Sequence, residues 1–222
     1  MDPKSRKKKI VEAIGGYVQI SEKVLNALAM VPREEFVPPH LRNMAYIDTP
    51  LPLKPMQTIS AIHMVAIMCE ILDLQPGHKV LEVGGGSGYH AAVCSLLVAP
   101  EGCPNPGHVY SIEIDQELAE RAKMTLHKLG FTHVTMICGD GTRGLPEFAP
   151  YDRILVTAAA PDIPPPLLEQ LKDGGYLVIP IGRDIQQLVL AKKERNEIEY
   201  ETHGLVSFVP LVGKYGFRDF MT

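Results

Sequence analysis

A chain of 222 residues, 45% of them hydrophobic, is long enough to bury the core of one α/β domain without staples. Its formal charge of −4 and isoelectric point near 6.1 exclude a whole-chain attraction to nucleic acid or to an anionic membrane. Cys69, Cys94, Cys103 and Cys138 are scattered, with no Cys-x-x-Cys pair and no histidine at a metal-ligand spacing, which predicts reduced thiols, no metal and a cytoplasmic protein.

In chain order, the basic run Lys4, Arg6, Lys7, Lys8 and Lys9 reads as a solvated tail before a helix around residues 10–14, in preference to a nucleic-acid arm. The start is too polar for a signal peptide, and the longest apolar stretch, residues 91–99, is about half of what a membrane span needs. Residues 8–45 read as helical, with Val24, Leu25, Leu28 and Ala29 on one buried face, and end in "VPREEFVPPH". A second apolar helix is expected over residues 59–72, broken by Gln75, Pro76 and Gly77. The period then changes. "KVLEV" is a strand that stops in glycines and leads into the helical "SGYHAAVCSLLV". The alternation recurs in "HVYSIEID" and "QELAERAKMTLHKLG", in "VTMIC" and a loop, in "DRILVTAAA" and "PPPLLEQLKDGG", and closes with "YLVIPIG". "QQLVLAKKE" and "GLVSFVPLV" then form an antiparallel pair. This pattern predicts an α/β fold, a doubly wound, mostly parallel, seven-stranded Rossmann-like sheet with helices on both faces. One domain is expected over residues 1–222: a helical extension 1–55, a core 56–182 and a C-terminal β pair 183–222.

The glycine turn "VLEVGGGSGY" places Gly84, Gly86 and Gly88 at the carboxyl end of the first core strand, where open α/β sheets bind ligands. A dinucleotide fingerprint would want glycine three positions after Gly86, and Tyr89 stands there; no Gly-Lys-Ser or Gly-Lys-Thr follows, which excludes a phosphate loop. Gly-x-Gly-x-Gly instead resembles the S-adenosylmethionine site of class I methyltransferases, against the alternative of a turn that merely needs positive φ. Glu113 ends the next strand, placed to accept from two ribose hydroxyls, and its structural task is missing because Asp115 can cap the helix beginning at Gln116. Asp140 ends the third core strand in line for an adenine amine, with an Asx-turn role equally open. Thr58, Ser60 and His63 form a polar cluster with no acid nearby in sequence to orient the histidine and no nucleophile elbow. Thr58 and Ser60 as helix caps, and His63 as a packing residue, remain open alternatives.

The stretches "VPREEFVPP", "AYIDTPLPL", "QTISAIHMVA", "VLEVGGGSGY", "GDGTRGLPEFAPYDRILVTAAAP", "LLEQLKDGGYLVIPIG" and "FVPLVG" resemble, in order, the protein-L-isoaspartate O-methyltransferase family over nearly the whole chain. Two departures stand out: Met56 where the family usually has glycine, and Ile62 where it often has proline. The resemblance implies S-adenosylmethionine as cofactor, S-adenosylhomocysteine as product, no metal, and a monomer acting on isoaspartyl peptides and proteins. It implies that Gln57, Glu82, Gly84, Gly86, Ser87, Gly88, Tyr89, Glu113, Ile114, Asp140 and Gly141 hold the cofactor. It makes Ser60 the residue that contacts the carboxylate to be methylated, with Thr58, Ile59, His63, Val209, Pro210 and Leu211 around the substrate. Those last three are expected to offer an edge for backbone bonding, or else a buried last strand. Two rivals are a nucleic-acid base methyltransferase, disfavoured by the small apolar residues of "VTAAAP", and a cofactor-binding module without catalysis.

Overall fold

The computed structural model describes residues 3–17 and 19–217; residues 1, 2, 18 and 218–222 of the expected 1–222 domain lie outside them. The N-terminal segment is less continuously helical than its periodicity suggests. Helices α1 (Pro3–Tyr17) and α2 (Glu22–Met30) are followed by two 3-10 turns, Arg33–Glu35 and Pro39–Met44, because Pro32, Pro38 and Pro39 lack the N–H a continuous helix needs. The basic run expected as a tail is itself part of α1, and Arg6 Nη1 donates to the Asn43 carbonyl at 2.7 Å.

A hairpin not foreseen from sequence comes next, β1 (Leu51–Lys54) with β2 (Gln57–Ile59), antiparallel and turned by Pro55 and Met56. Met56 adopts φ +63°, the left-handed conformation for which glycine is the natural choice. Helix α3 (Ile62–Ile71) has Ile62 at its first helical position, with the side chain 2% exposed. Proline fits such a position because its missing N–H has no helical partner there. Ile62 thus falls where the backbone accommodates the change, whereas Met56 falls where the backbone favours the glycine it replaces.

The main sheet has the order β5-β4-β3-β6-β7-β8-β9. Its strands are β3 (Lys79–Val83), β4 (His108–Glu113), β5 (Val134–Cys138), β6 (Tyr151–Val156), β7 (Leu171–Ile181), β8 (Gln186–Glu194) and β9 (Glu197–Val206), interleaved with α4 (Tyr89–Val98), α5 (Gln116–Lys128) and the short α6 (Pro165–Gln170). The first five in chain order pair in parallel, and β8 and β9 add antiparallel. Four of the five β3 residues, Val80 through Val83, are buried, as a central strand covered on both faces requires. In α5 the buried Leu118, Ala119, Ala122 and Leu126 recur at helical spacing, and Asp115 Oδ1 accepts from Leu118 N at 2.9 Å, the cap foreseen from sequence. One hydrophobic cluster joins α2, α3 and α4, and a second packs the other face around Leu81, Ile154, Val156 and Leu177.

The last strand lies elsewhere than expected. β9 is the polar "EIEYETHGLV", exposed along nearly its whole length, and the "FVPLV" stretch lies beyond it. There Pro210 forms an isolated parallel bridge to Ala159, and Leu211 is buried. The strand moved because β9 is a sheet edge, where few apolar residues are needed. Among the described residues no helix is long and apolar enough to cross a membrane.

Candidate active site

The chain runs from β3 to β4 and β5 on one side and returns to β6 on the other, so the carboxyl end of β3 is the switch point where open sheets form a crevice. The glycine turn occupies it. Gly84, Gly86 and Gly88 have φ of +90°, +52° and +83°, and a Cβ on Gly84 would lie 2.5 Å from Thr157 Oγ1, so neighbouring strands press on the turn and leave no room for a side chain. Glu113 braces it: Oε2 accepts from Gly86 N at 2.8 Å and Oε1 from Asp115 N at 2.9 Å. The carboxylate therefore has a structural task that the sequence did not reveal. Each oxygen keeps acceptor capacity. Burial raises the Glu113 pKa against the pull of these backbone N–H groups.

Above the turn is a cavity of about 640 Å³. It is bordered by Glu82, Gly84, Gly86, Ser87, Tyr89, Glu113, Ile114 and Gly141, by Gln57, Thr58, Ile59 and Ser60 of the hairpin side, and by Val209, Pro210 and Leu211. One space thus joins three stretches far apart in sequence. His63, Gly88 and Asp140 do not border it, whereas Leu53, Lys54, His90, Thr157 and Ala158 do, without having been singled out from sequence. Lys54 pairs with Asp115 at 2.8 Å and Glu117 at 2.9 Å, linking the hairpin to the start of α5.

Glu82 is fully buried; Oε2 accepts from the Ser111 hydroxyl and Oε1 has no partner. Burial first, with the Glu113 charge adding, raises its pKa to about 7 against His90 and Ser111.

Ser60 precedes the N-cap of α3, which is Ala61 and makes no side-chain cap bond, and Thr58 lies in β2. The helix-cap alternative for both is therefore overturned. The Ser60 carbonyl accepts from Arg33 Nη2 at 2.7 Å, and Arg33 Nε donates to the Ala45 carbonyl at 2.9 Å. This guanidinium is fully buried and lies 4.7 Å over the Tyr89 ring. Burial lowers its pKa, opposed chiefly by Tyr89. His63 is oriented by an acid after all: Asp48, fifteen residues earlier, accepts its backbone N–H at 3.0 Å and pairs with Nδ1 at 2.9 Å.

Asp140 caps the 3-10 turn Gly141–Arg143. Its Oδ1 accepts from Thr142 N at 3.0 Å and Oδ2 from Lys214 N at 2.9 Å, so the Asx-turn role is present. All four cysteines are free thiols. The expectation that no histidine stands at a ligand spacing needs correction, because His90 and Cys94 lie four residues apart on α4 and Cys69 joins them in the core.

The seven-stranded sheet, the glycine turn without a phosphate signature and the braced acid at the next strand end define a Rossmann-like methyltransferase. Residues 5–216 match the model of the protein-L-isoaspartate(D-aspartate) O-methyltransferase family, and the chain belongs to that family. It is 55% identical over 214 residues to the protein-L-isoaspartate O-methyltransferase of Methanothrix thermoacetophila, covering 96% of this chain and 98% of that one. It is 58% identical over 202 residues to that of Staphylothermus marinus, covering 90% of each. A solved protein-L-isoaspartate O-methyltransferase superposes with a TM-score of 0.85 at 32% identity, over 95% of this chain and 67% of that one. A Plasmodium falciparum structure in complex with S-adenosyl-L-homocysteine does so at 0.82 and 26%, over 93% and 98%.

Proposed function

We propose that this chain is a protein-repair methyltransferase that carries the methyl of S-adenosylmethionine to the α-carboxylate of L-isoaspartyl residues in damaged proteins. The observation that carries the reading is the single cavity that brings the glycine turn, Glu113, Ser60 and residues 209–211 together. The cavity fits the cofactor: the unpartnered Glu82 Oε1 suits a cationic group, and the braced Glu113 oxygens can still accept from hydroxyls. Gln57, Ser87, Tyr89, Ile114 and Gly141 complete that side, with Gly88 and Asp140 setting the turns at its rim. When bound, S-adenosylmethionine supplies a methyl group already activated on a sulfonium.

The residues then have positioning to do. A substrate carboxylate is ionised near neutral pH, so Ser60 needs no base. Its hydroxyl fixes one carboxylate oxygen, one part of an in-line placement of oxygen, methyl and sulfur that as a whole can be worth roughly 7 to 11 kcal/mol. Thr58 and Ile59 flank the substrate, while His63, paired with Asp48, stands outside the cavity. Val209 O and Leu211 N are bonded to Ala159 at 2.8 and 2.7 Å, and the Pro210 carbonyl is assigned to the added peptide strand. The resulting ester loses its alcohol as the following amide nitrogen closes a succinimide, which reopens partly to L-aspartate.

The finer reading is a cytoplasmic monomer, one domain over residues 1–222, acting on isoaspartyl peptides and on neither nucleic acid nor membranes. Labelled methyl transfer tests it, with an isoaspartyl peptide as substrate and its aspartyl counterpart and RNA as controls. Transfer to the isoaspartyl peptide alone is expected; transfer to RNA, or to none of the three, overturns the reading.

A further inference from the structure

Behind the cavity, Cys69 on α3 faces His90 and Cys94 on α4. Cys69 Sγ lies 3.4 Å from His90 Nε2 and 3.9 Å from Cys94 Sγ, and all three donor atoms lie within 4.8 Å of one another. A tetrahedral zinc with bonds of about 2.3 Å to sulfur and about 2.0 to 2.1 Å to nitrogen separates sulfur from sulfur by about 3.8 Å and sulfur from nitrogen by about 3.5 Å. The Cys69–Cys94 and Cys69–His90 separations match those values. Both cysteines are 0% exposed and His90 6%. Hydrogen bonding alone explains the cluster poorly, since thiols are weak donors and weak acceptors.

We propose that Cys69, His90 and Cys94 form a site for one thiophilic d10 cation, zinc, separate from the methyl-transfer chemistry. The two thiols bind as thiolates, each proton passing to solvent as its zinc–sulfur bond forms, and His90 binds through Nε2. Two thiolates cancel the charge of Zn²⁺, so no net charge is buried. His90 borders the cavity, which gives the ion its route and a water its place as fourth ligand. The site has a mechanical meaning. Helix α3 follows the Ser60 segment and α4 follows the glycine turn, so one ion ties together the two parts of the chain that the cavity needs held in register.

The test uses full-length protein carrying Cys103→Ser and Cys138→Ser, which removes the two less buried thiols. After dialysis against zinc and then buffer, about one equivalent is expected to stay bound, with a rise of several degrees in melting temperature. Cobalt loading of the same protein is expected to give thiolate-to-cobalt charge-transfer absorption. Cys69→Ala and Cys94→Ala each abolish retention. Substoichiometric zinc, a cobalt spectrum without the charge-transfer band, or undiminished retention in both variants overturns the proposal. If either variant fails to fold, the cobalt spectrum of the parent protein decides alone.

Discussion

Arg33 holds Ser60 by the main chain: its Nη2 donates to the Ser60 carbonyl at 2.7 Å, while among the described residues the Ser60 hydroxyl makes no bond within the chain. A fully buried cation thus fixes the backbone of a residue whose side chain is left to a ligand. Lysine has no planar fork with which to reach two carbonyls and stack on Tyr89. Arg33→Lys is expected to lower kcat about tenfold while S-adenosylhomocysteine affinity changes less than about threefold. Arg33→Ala, which leaves the buried Ala45 carbonyl and the partly buried Ser60 carbonyl without this donor, should cost about 1 to 3 kcal/mol for the first and less for the second. Steady-state kinetics and denaturant titration check both; an unchanged kcat in Arg33→Lys would detach Arg33 from the site.

Ser60→Ala removes the hydroxyl and keeps the Arg33 bond, so the fold and cofactor binding should persist. A bond better made in the transition state is worth about 1.5 to 3 kcal/mol, which predicts a fall of roughly ten- to a hundredfold in single-turnover rate. Ser60→Thr should retain part of the activity with a stiffer χ1. A wild-type rate in Ser60→Ala would take the residue out of the mechanism.

Glu113 and Asp140 are expected to separate. Glu113→Ala leaves the Gly86 and Asp115 N–H groups without acceptors and removes the carboxylate from the cavity, so S-adenosylhomocysteine affinity should fall at least about tenfold. Asp140→Ala frees Thr142 and Lys214, so its larger effect should be on melting temperature and its smaller one on affinity. Calorimetric titration beside thermal melts distinguishes them, and equal affinity losses would place Asp140 directly on the cofactor.

Glu82 predicts a pH dependence. Its folded pKa of about 7 lies above the ordinary 4.5, so between those values the native state holds a proton that the unfolded chain has released. Stability from this group is fully present below the unfolded value and declines as pH rises toward 7. In Glu82→Gln that decline should flatten. Denaturant midpoints taken at about pH 5 and about pH 7.5 test the sign; parallel pH profiles in parent and variant would refute it.

Met56 carries the strain of its turn, with φ +63° and 64% exposure. Met56→Gly gives up little burial and relieves a conformation costing a residue with Cβ about 1 to 2 kcal/mol. Glycine's own entropy returns part of that, leaving a gain of about 1 kcal/mol, or a melting temperature higher by about 2 to 4 °C. A lower melting temperature would show that the Met56 side chain packs more than its exposure implies.

The parallel core was legible because each of its strands is an apolar run stopped by a breaker, and the glycine turn because only glycine fits against Thr157. The hairpin over Leu51–Lys54 and Gln57–Ile59 was not, since its strands are short and Pro55 is followed by Met56 in place of the glycine that would complete the turn signal. β9 was missed for the opposite reason: an edge strand needs few apolar residues, so the apolar "FVPLV" drew the assignment past it. At the site, the place of Ser60 and Glu113 at the cavity was readable from family resemblance and position, but the bracing of the glycine turn by Glu113 was not. Arg33, the Asp48–His63 pair and the approach of Cys69 to α4 depend on contacts between segments twelve to twenty-seven residues apart, which no local pattern encodes, whereas the four-residue spacing of His90 and Cys94 was there to be read.

The exposed last strand also bears on edge-to-edge pairing. Along β9, Glu197, Glu199 and Glu201 recur every second residue and so crowd one face. Two such edges zipping together antiparallel would set carboxylate against carboxylate, and like charges placed opposite one another resist pairing. The sheet therefore carries its own terminator. Its unpaired N–H and C=O groups are thereby shielded from a second copy of the same strand, with Glu201 held back toward β8 by Lys192 and Glu197 and Glu199 left to face the approaching edge.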